Sequence, residues 1–457
     1  MHDWVALGYL TGAVLFVLGL MGLSHPRRAV AGNGLGALGM LLCVVVTLLD
    51  RGMVHWWGVV FGLLVGSAAG VLLAQKVAMT AMPQMVGLFN GLGGAASALV
   101  AWAELHQTAL PMALTFRLAA GLSVLIGAVT LSGSLVAAAK LHGLMGERPW
   151  RLPHEQLLKA LVLVVALVLV GAFALQANPA GLVLPLVAVA LVLGVQITVA
   201  IGGADMPVVI ALMNAYSGLA GAAAGFVLAN SALVIAGALV GASGLILTQI
   251  MCRAMNRSMG RVLLGGFGEP QAAADADAVY GGRIKATSAE EVALLLDGVQ
   301  QVMVVPGYGL AVAQAQYALR DLVHFLEGRG IQVTFAIHPV AGRMPGHMNV
   351  LLAEVDIPYE QLLELDAANA QLPRVDVAIV IGANDVVNPS AQDPSSPIAG
   401  MPIVAVTQAQ TVVVIKRSLS PGFAGIPNPL FAMDNTLMFF ADAKEGLGAI
   451  LAALKAG

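Results

Sequence analysis

Residues 1–255 form a series of apolar segments, each long enough to cross a membrane, and this series constrains the fold more than any other feature. A helix needs about 20 apolar residues to span a hydrocarbon core of about 30 Å. The connections between the segments are short, so the sequence predicts a compact polytopic α-helical membrane bundle of about nine spans. The candidate spans are 4–23, 32–49, 54–74, 84–103, 114–138, 157–176, 181–201, 207–229 and 231–252.

Composition separates the two parts of the chain. Hydrophobic residues make up 59% and charged residues 10% of it, whereas about 25% of a typical soluble domain is charged. Residues 1–261 hold 12 Lys and Arg against 6 Asp and Glu, while residues 262–457 hold 10 against 19. The acidic C-terminal part argues against nucleic acid as a partner. Cys43 and Cys252 lie in apolar segments without metal-ligand spacing, so neither a disulfide framework nor a metal site is predicted.

Basic residues beside the spans predict the orientation, because cytoplasmic loops carry an excess of Lys and Arg. One set of connections holds only Arg51 and Arg117. The other set holds Arg27, Arg28, Lys76, Lys140, Arg148, Arg151, Lys159, Arg253, Arg257 and Arg261. The second set marks the cytoplasmic side, which predicts a periplasmic N-terminus and a cytoplasmic C-terminal domain.

The chain is predicted to comprise a transmembrane domain of residues 1–261, a linker of residues 262–290 and an α/β domain of residues 291–457. The strand candidates are 301–305, 331–337, 376–381, 401–406, 411–416 and 436–440, and the helix candidates include 310–328, 359–370 and 443–455. The strands are short apolar runs with little alternation, which is typical of strands covered on both faces. The pattern predicts a cytoplasmic Rossmann-like domain with a parallel sheet.

A Gly-x-Gly turn, Gly307-Tyr308-Gly309, follows the first strand and opens a helix. The first glycine permits a tight turn, and the second lets the backbone approach a pyrophosphate at the helix N-terminus. Val312 replaces the third glycine of the dinucleotide-binding pattern. An ordinary strand–helix turn is the alternative interpretation.

Residues at the carboxyl ends of the second strand and of one late strand favour NADP(H) over NAD(H) as the ligand. An NAD site normally has an acid at the end of the second strand, but this chain has His338 there and Arg343 nearby. A basic cluster, Lys416-Arg417-Ser418, follows a late strand and suits a 2′-phosphate, although a solvated strand end is the alternative. Two more loops are candidates for ligand contact, 381–389 at the carboxyl end of a strand and 420–425 as a loop able to fold over a ligand.

Four polar residues of the membrane part are candidates for a proton path: Asn90, Asp205, Asn214 and Ser217. Polar groups at membrane depth are costly and often functional. The structural alternatives are that Asp205 caps the helix whose first turn contains Pro207, and that the two asparagines join neighbouring helices by hydrogen bonds.

Several long motifs together resemble the beta subunit of proton-translocating NAD(P) transhydrogenase over essentially the whole chain. The motifs are Met79–Gln84, Ile201–Ser217, Val305–Gly309, His338–Asn349, Gly382–Pro389 and Lys416–Leu419. The resemblance implies an enzyme of the bacterial inner membrane that transfers hydride between NADH and NADP+ with inward proton translocation. It also implies that this chain binds NADP(H), while one alpha chain or an alpha pair binds NAD(H) and completes the active enzyme. A dimer of alpha–beta units in membrane lipid is the implied assembly.

The resemblance assigns roles to individual residues. Asp385 is the implied coupling residue, and a carboxylate beside a phosphate favours its protonated form. The implied cofactor contacts lie in the glycine turn and in the loops that follow the other strands. They are Gly307, Tyr308, Gly309, Val340, Ala341, Gly342, Arg343, Met344, Pro345, Gly382, Ala383, Asn384, Asp385, Val386, Gly400, Met401, Lys416, Arg417, Ser418, Leu419, Ser420, Pro421, Gly422, Phe423, Asp442 and Ala443.

The chain departs from the family pattern at two positions. Many members have histidine at the position of Asn90 and tyrosine at that of Phe423. Asparagine does not exchange a proton near neutral pH, so Asn90 would only hydrogen-bond to a relay. The competing function is an ion channel or transporter gated by a dinucleotide-binding domain, but the spans contain no filter-like loop and no pair of broken helices.

Overall fold

The computed structural model describes residues 3–23, 28–50, 56–77, 81–108, 112–146, 149–150, 153–264, 279–422 and 424–457. The chain divides into two compact units. One unit comprises residues 1–200 and 209–246, and the other comprises residues 201–208 and 247–457. The boundaries predicted for the three domains remain predictions.

The described residues contain nine helices that are long and apolar enough to cross a membrane, as the sequence predicts. No proline lies between the first and last turns of these helices, so their main-chain hydrogen bonds are not interrupted there. The helices are α1 (Asp3–Leu23), α2 (Ala29–Asp50), α3 (Trp56–Lys76), α4 (Met82–Gln107), α5 (Leu114–His142), α6 (Glu155–Leu175), α7 (Val183–Val199), α8 (Met206–Val227) and α9 (Ser231–Ala254).

Small residues set the closest contacts between the membrane helices. A Cβ atom on Gly94 of α4 would lie 2.6 Å from the carbonyl oxygen of Gly127 on α5. The main chains of α8 and α9 approach each other in the same way at Gly218 and Gly237. Lipid tails are as apolar as side chains, so close packing of this kind is what holds membrane helices together. By contrast, no residue of the described helix α3 is buried.

The second unit contains a six-stranded sheet in which every neighbouring pair is parallel. Apolar, largely β-branched runs form its central strands because helices cover both faces. The strand order is β3-β2-β1-β4-β5-β6. The strands are β1 (Gln301–Pro306), β2 (Gln332–Ile337), β3 (Leu362–Glu364), β4 (Val377–Ile381), β5 (Thr411–Lys416) and β6 (Thr436–Phe440).

The α-helices of this unit beyond α9 are short, and most connect consecutive strands. They are α10 (Met259–Leu264), α11 (Ala289–Leu296), α12 (Tyr308–Val312), α13 (Gln316–Gly328), α14 (His347–Ala353), α15 (Leu365–Gln371) and α16 (Ala443–Ala456). The Rossmann-like fold class predicted from the sequence is confirmed by this alternation around a parallel sheet.

Individual elements differ from the prediction in three places. Residues 401–405 form no strand, because Pro402 has no main-chain N–H to donate. The Asn369 side chain also bonds to the main chain there, since it donates to Ile403 O and accepts from Ala405 N. The predicted helix 359–370 contains the short strand β3 before α15 begins. The predicted helix 310–328 is interrupted between α12 and α13, where Gln314 has a φ of 49°.

The segment before α11 extends the sheet at β6. Ala286 forms a parallel bridge to Met438, and Met438 N donates to Lys285 O at 2.8 Å. The capping box of Ser288 and Glu291 then starts α11. Residues 265–278 of the predicted linker lie outside the described residues, whereas residues 285–287 are attached to the edge of the sheet.

Candidate cofactor site

A cavity of about 740 Å³ opens at the carboxyl ends of the parallel strands. This is the edge of an open α/β sheet where ligands bind. Twenty of the residues predicted from the sequence line it: Gly307, Tyr308, Gly309, Val340, Ala341, Gly342, Gly382, Ala383, Asn384, Asp385, Val386, Met401, Lys416, Arg417, Ser418, Ser420, Pro421, Gly422, Asp442 and Ala443.

Five predicted residues lie outside the lining: Arg343, Met344, Pro345, Gly400 and Leu419. Met344 is buried, Leu419 packs against the core of the sheet, and Ala399 beside Gly400 accepts a hydrogen bond from Asn256. A further predicted contact, Phe423, lies outside the described residues.

Three glycines lock the first turn to the loop after β4. A Cβ atom on Gly309 would lie 2.6 Å from Cα of Gly382, and one on Gly307 would lie 2.5 Å from Cα of Ala383. Gly382 itself has a φ of 63°, which side chains rarely tolerate. Gly309 N donates to Gly382 O at 2.9 Å. The Gly-x-Gly sequence therefore serves a main-chain crossing between two loops, besides leaving room for a ligand.

The basic cluster after β5 is held in a defined arrangement. Lys416 Nζ donates to Ser420 O and lies 5.0 Å from the centroid of the Phe431 ring. Burial lowers the pKa of Lys416 to about 8, and the nearby carboxylate of Asp385 opposes that shift. Arg417 and Ser418 are exposed beside it. The arrangement presents two cations and a hydroxyl group at the end of one strand.

Asp385 is attached to the closing loop, residues 420–425. Its Oδ2 accepts a hydrogen bond from the main-chain N–H of Ala424 at 3.0 Å. A Cβ atom on Gly422 would lie 2.5 Å from Oδ1 of the same carboxylate. The closing loop therefore packs directly against the residue that was assigned to coupling.

Arg343, which lies outside the lining, pairs with Tyr308, which lines the cavity. The guanidinium carbon of Arg343 lies 4.5 Å from the centroid of the Tyr308 ring, in the geometry of a cation–π contact. His347 supports the pair, because its Nδ1 accepts from Arg343 N at 3.0 Å and its ring lies 6.2 Å from that of Tyr308. Burial, followed by the charge of Arg343, lowers the pKa of His347.

His338 stands where an NAD site would have an acid, and its ring is committed to the protein. Its Nε2 lies 2.7 Å from Pro402 O, and its Nδ1 accepts from Val340 N at 3.2 Å. This pattern fixes the neutral tautomer with the proton on Nε2. Burial lowers the pKa of His338 to about 4. His338 therefore shapes the loop after β2 and offers no charge to a ribose phosphate.

One wall of the cavity comes from residues of the second unit that follow α7 and α9 in the chain, namely Gly203, Met255 and Arg257. Arg257 forms an ion pair with Asp205, with Nη1 and Oδ2 3.5 Å apart. The Asp205 side chain is 3% exposed, and burial raises its pKa to about 6 against the opposing effect of Arg257. The ion pair thus joins the Asp205 carboxyl group to a residue that lines the cavity.

Sequence reasoning missed several residues that line the cavity. They are Gly203, Met255, Arg257, Val312, Ala313, Ile398, Ile415 and Ala441. Most are small or apolar and carry no chemical pattern. Arg257 had a signal, because it is a basic residue beside a span, but that pattern predicts membrane orientation and not a ligand contact.

The polar candidates of the membrane helices make separate contacts. Asn90 is buried, and its Nδ2 donates to Ile210 O of α8 at 3.3 Å. Ser217 Oγ donates to the carbonyl of Asn214 on its own helix at 2.8 Å. A Cβ atom on Gly93 would lie 3.9 Å from Cβ of Ser217. Asn90, Asn214 and Ser217 therefore lie at or beside the contact between α4 and α8, and their role in a proton path remains a prediction.

Comparisons with known proteins agree with this architecture. The family model described as NAD(P) transhydrogenase beta subunit matches residues 5–453. The NAD(P) transhydrogenase subunit beta of Rhodospirillum rubrum is 46% identical over 454 residues, which cover 97% of each chain. The subunit from a named strain of that species gives the same values. The chain belongs to the NAD(P) transhydrogenase beta subunit family.

Proposed function

We propose that this chain binds NADP(H) in the cavity at the sheet edge. The observation that supports this most strongly is the grouping of Lys416, Arg417 and Ser418 at the end of β5. Two cations and a hydroxyl group match the charge and hydrogen-bonding capacity of a 2′-phosphate. The neutral, fully engaged His338 replaces the acid that would recognise an unphosphorylated ribose.

The remaining lining fits the rest of a dinucleotide. The glycines of the first turn, Gly307 and Gly309, line the cavity and carry no side chain, so a pyrophosphate could approach the main chain there. The apolar wall and the closing loop would exclude water from the bound cofactor. The nicotinamide supplies the hydride chemistry when it is bound, so the chain's own contribution is to orient that ring and shield it.

The family membership implies an alpha subunit, and we propose that it binds NAD(H) and presents it to this chain. Hydride would then pass directly between NADH and NADP+ without a protein nucleophile. We further propose a bacterial inner-membrane complex of two alpha–beta units, with the α/β domain in the cytoplasm. The distribution of Lys and Arg beside the spans supports this orientation.

We propose that Asp205 contributes to proton coupling through Arg257. A proton on Asp205 would remove its charge and weaken the ion pair with Arg257, so that the guanidinium attracts anions in the cavity more strongly. Conversely, a bound phosphate that attracts Arg257 would favour protonation of Asp205, because such linkage is reciprocal. Asp385, Asn90, Asn214 and Ser217 remain candidates for the other steps.

The decisive test uses membranes that contain this chain and an alpha subunit. We expect NADH to reduce a thionicotinamide analogue of NADP+, with a rate that changes when a protonophore collapses the proton gradient. Membranes without the alpha subunit should bind NADPH but transfer no hydride. Failure of hydride transfer would reject the enzymatic proposal, and a rate indifferent to the protonophore would reject the coupling.

The competing function is separated by the same preparation. Nucleotide-dependent ion flux through this chain alone, without hydride transfer, would favour a gated channel or transporter. Protease cleavage of the α/β domain in inside-out but not right-side-out vesicles would support the proposed orientation.

A further inference from the structure

Tyr280 and Asn428 lie behind the cavity and carry none of the roles assigned so far. Both are buried, with 5% and 0% of their surface exposed, and neither lines the cavity. The Tyr280 hydroxyl accepts a hydrogen bond from the main-chain N–H of Asn428 at 3.3 Å. Tyr280 precedes the segment 285–287 that extends the sheet, and Asn428 follows the closing loop. The pair therefore joins two distant parts of the chain directly behind the basic cluster.

Asn428 reaches the basic cluster through Asn384. Its Nδ2 donates to the main-chain O of Asn384 at 3.1 Å, and its own Oδ1 accepts from Leu430 N at 3.1 Å. The side-chain amide of Asn384 faces the cluster. Its Oδ1 accepts from Asn428 Nδ2 at 3.0 Å. In the swapped orientation of the amide, the oxygen accepts instead from Gly422 N at 2.6 Å and from Lys416 Nζ at 3.2 Å. Asn428 thus fixes the main chain that carries a partner of the Lys416 ammonium.

Tyr280 reaches the same ammonium through Phe431. The two rings are stacked, with centroids 6.3 Å apart and planes inclined by 27°. The Lys416 ammonium lies on the Phe431 ring at 5.0 Å from its centroid. A cation over an aromatic face is attracted by it, so the position of the Phe431 ring influences the position of the ammonium. Tyr280 therefore supports two groups near Lys416: the Phe431 ring by stacking, and the main chain of Asn428 through the hydrogen bond from its N–H.

We propose that Tyr280 and Asn428 are a positioning pair that holds the Lys416 ammonium ready for the 2′-phosphate of NADP(H). The proposal rests on the proposed function. A lysine side chain has many rotamers, and ordering it costs binding free energy unless the protein has already ordered it. The pair would thus contribute to the preference for NADP(H) over NAD(H) without touching either cofactor.

The test measures NADPH and NADH affinities of the full-length chain in detergent by nicotinamide fluorescence. Tyr280→Phe keeps the ring and removes the acceptor, and Asn428→Asp keeps the shape and removes the Nδ2 donor. For Tyr280→Phe we expect NADPH affinity to fall about threefold to tenfold with NADH affinity unchanged, which is the size of one hydrogen bond. Asn428→Asp should have the larger effect.

Tyr317→Phe is the matched control, because Tyr317 is exposed and its hydroxyl bonds to Glu354 away from the cavity. If Tyr280 served stability alone, Tyr280→Phe would lower the melting temperature and leave the ratio of NADPH to NADH affinity unchanged. An unchanged ratio in this variant therefore overturns the proposal. If Asn428→Asp does not fold, Tyr280→Phe decides. A wild-type chain that does not bind NADPH would instead reject the proposed function itself.

Discussion

The membrane helices and the loops around the cavity both contain glycine contacts and asparagine hydrogen bonds, but these are arranged differently. In the bundle, Gly94 meets Gly127, and Asn90 makes one described bond to a main-chain carbonyl. At the sheet edge, the glycine crossing carries Asn384, which is bonded in turn to Asn428 and the closing loop. These two bundle contacts each join one pair of helices, whereas those at the cavity form a connected network.

This difference has an energetic meaning. Independent pairwise contacts add nearly without coupling, so a single change in the bundle should have a small and local effect. Groups in one hydrogen-bonded network are coupled, and a single change displaces several of them. The substitutions below test whether the cavity is more sensitive than the bundle, from the largest expected effect to the smallest.

Gly382→Ala should have the largest effect. The new Cβ atom would lie 2.6 Å from the carbonyl carbon of Gly309, at a position where φ is 63°. The two loops would have to separate and misplace the bound cofactor, and a misplacement of about 1 Å costs about 100-fold in reaction rate. The rate of hydride transfer from NADH, in membranes that contain the alpha subunit, is the measurement. Gly62→Ala on α3 is the control, because no atom beyond its chain neighbours and its own helix backbone lies within 4 Å of its Cβ position. Equal losses in both variants would contradict the comparison.

Lys416→Gln should weaken NADPH binding by about 10-fold to 100-fold, which corresponds to losing charge-assisted hydrogen bonds to a phosphate. NADH binding should be unaffected, since NADH has no 2′-phosphate. Lys455→Gln, an exposed lysine at the end of α16, is the control for net charge. A parallel loss of NADH affinity would show that Lys416 serves the structure of the loop instead.

Raising the pH should weaken NADPH binding through the same lysine. Burial lowers the pKa of Lys416 to about 8, so the ammonium is present below that pH and is lost above it. Between about pH 8 and pH 9.5 we expect NADPH affinity to fall about fivefold. In Lys416→Arg the slope should disappear because arginine stays protonated. An identical slope in both proteins would assign the titration to another group.

Asp205→Asn should change the response to acid by about threefold, the scale of an ion pair in which the arginine is partly exposed. The pKa of Asp205 is raised to about 6, so its proton binds as the pH falls through that value. If protonation weakens the ion pair with Arg257, NADP+ affinity by calorimetry should rise in wild type and should already be high in the variant. Because the 2′-phosphate also titrates near about pH 6, the difference between the two proteins is the measurement. No difference would remove Asp205 from the coupling proposal.

Asn90→Ala and Ser217→Ala should have the smallest effects. Asn90 donates to the neighbouring helix, and such a bond contributes about 0.6 kcal/mol to stability. Ser217 donates to its own helix, so its removal should be neutral. Thermal unfolding in detergent compares the two variants. A larger effect for Ser217 than for Asn90 would indicate a further partner for the serine hydroxyl.

Much of the fold was predictable because its signals are local and strong. Long apolar runs report spans directly, and the nine predicted segments correspond to the nine helices within the described residues. Strand β3 has only three residues, too few to show any periodicity. The apolar run 401–406 was mistaken for a strand, because sequence does not reveal that Asn369 would satisfy its main-chain groups.

The candidate site was predictable where residues follow strand ends. Lys416 is the last residue of β5, and Asp385 lies shortly after β4. Parallel strands bring such positions to one edge of the sheet. Arg257 was assigned only to membrane orientation, because its approach to the cavity depends on packing within the second unit. Tyr280 and Asn428 were missed because their roles arise from contacts between positions far apart in the chain.

The attachment of residues 285–287 to β6 has a consequence for the order of folding during synthesis. Ala286 emerges from the ribosome long before its partner Met438, with roughly 150 residues between them, and pairs so distant in sequence form late. The nascent chain must therefore carry this segment unpaired until the last strand is made. We expect the complete sheet edge, and with it the contact of Tyr280 with the end of the closing loop, to form only after β6 has left the ribosome.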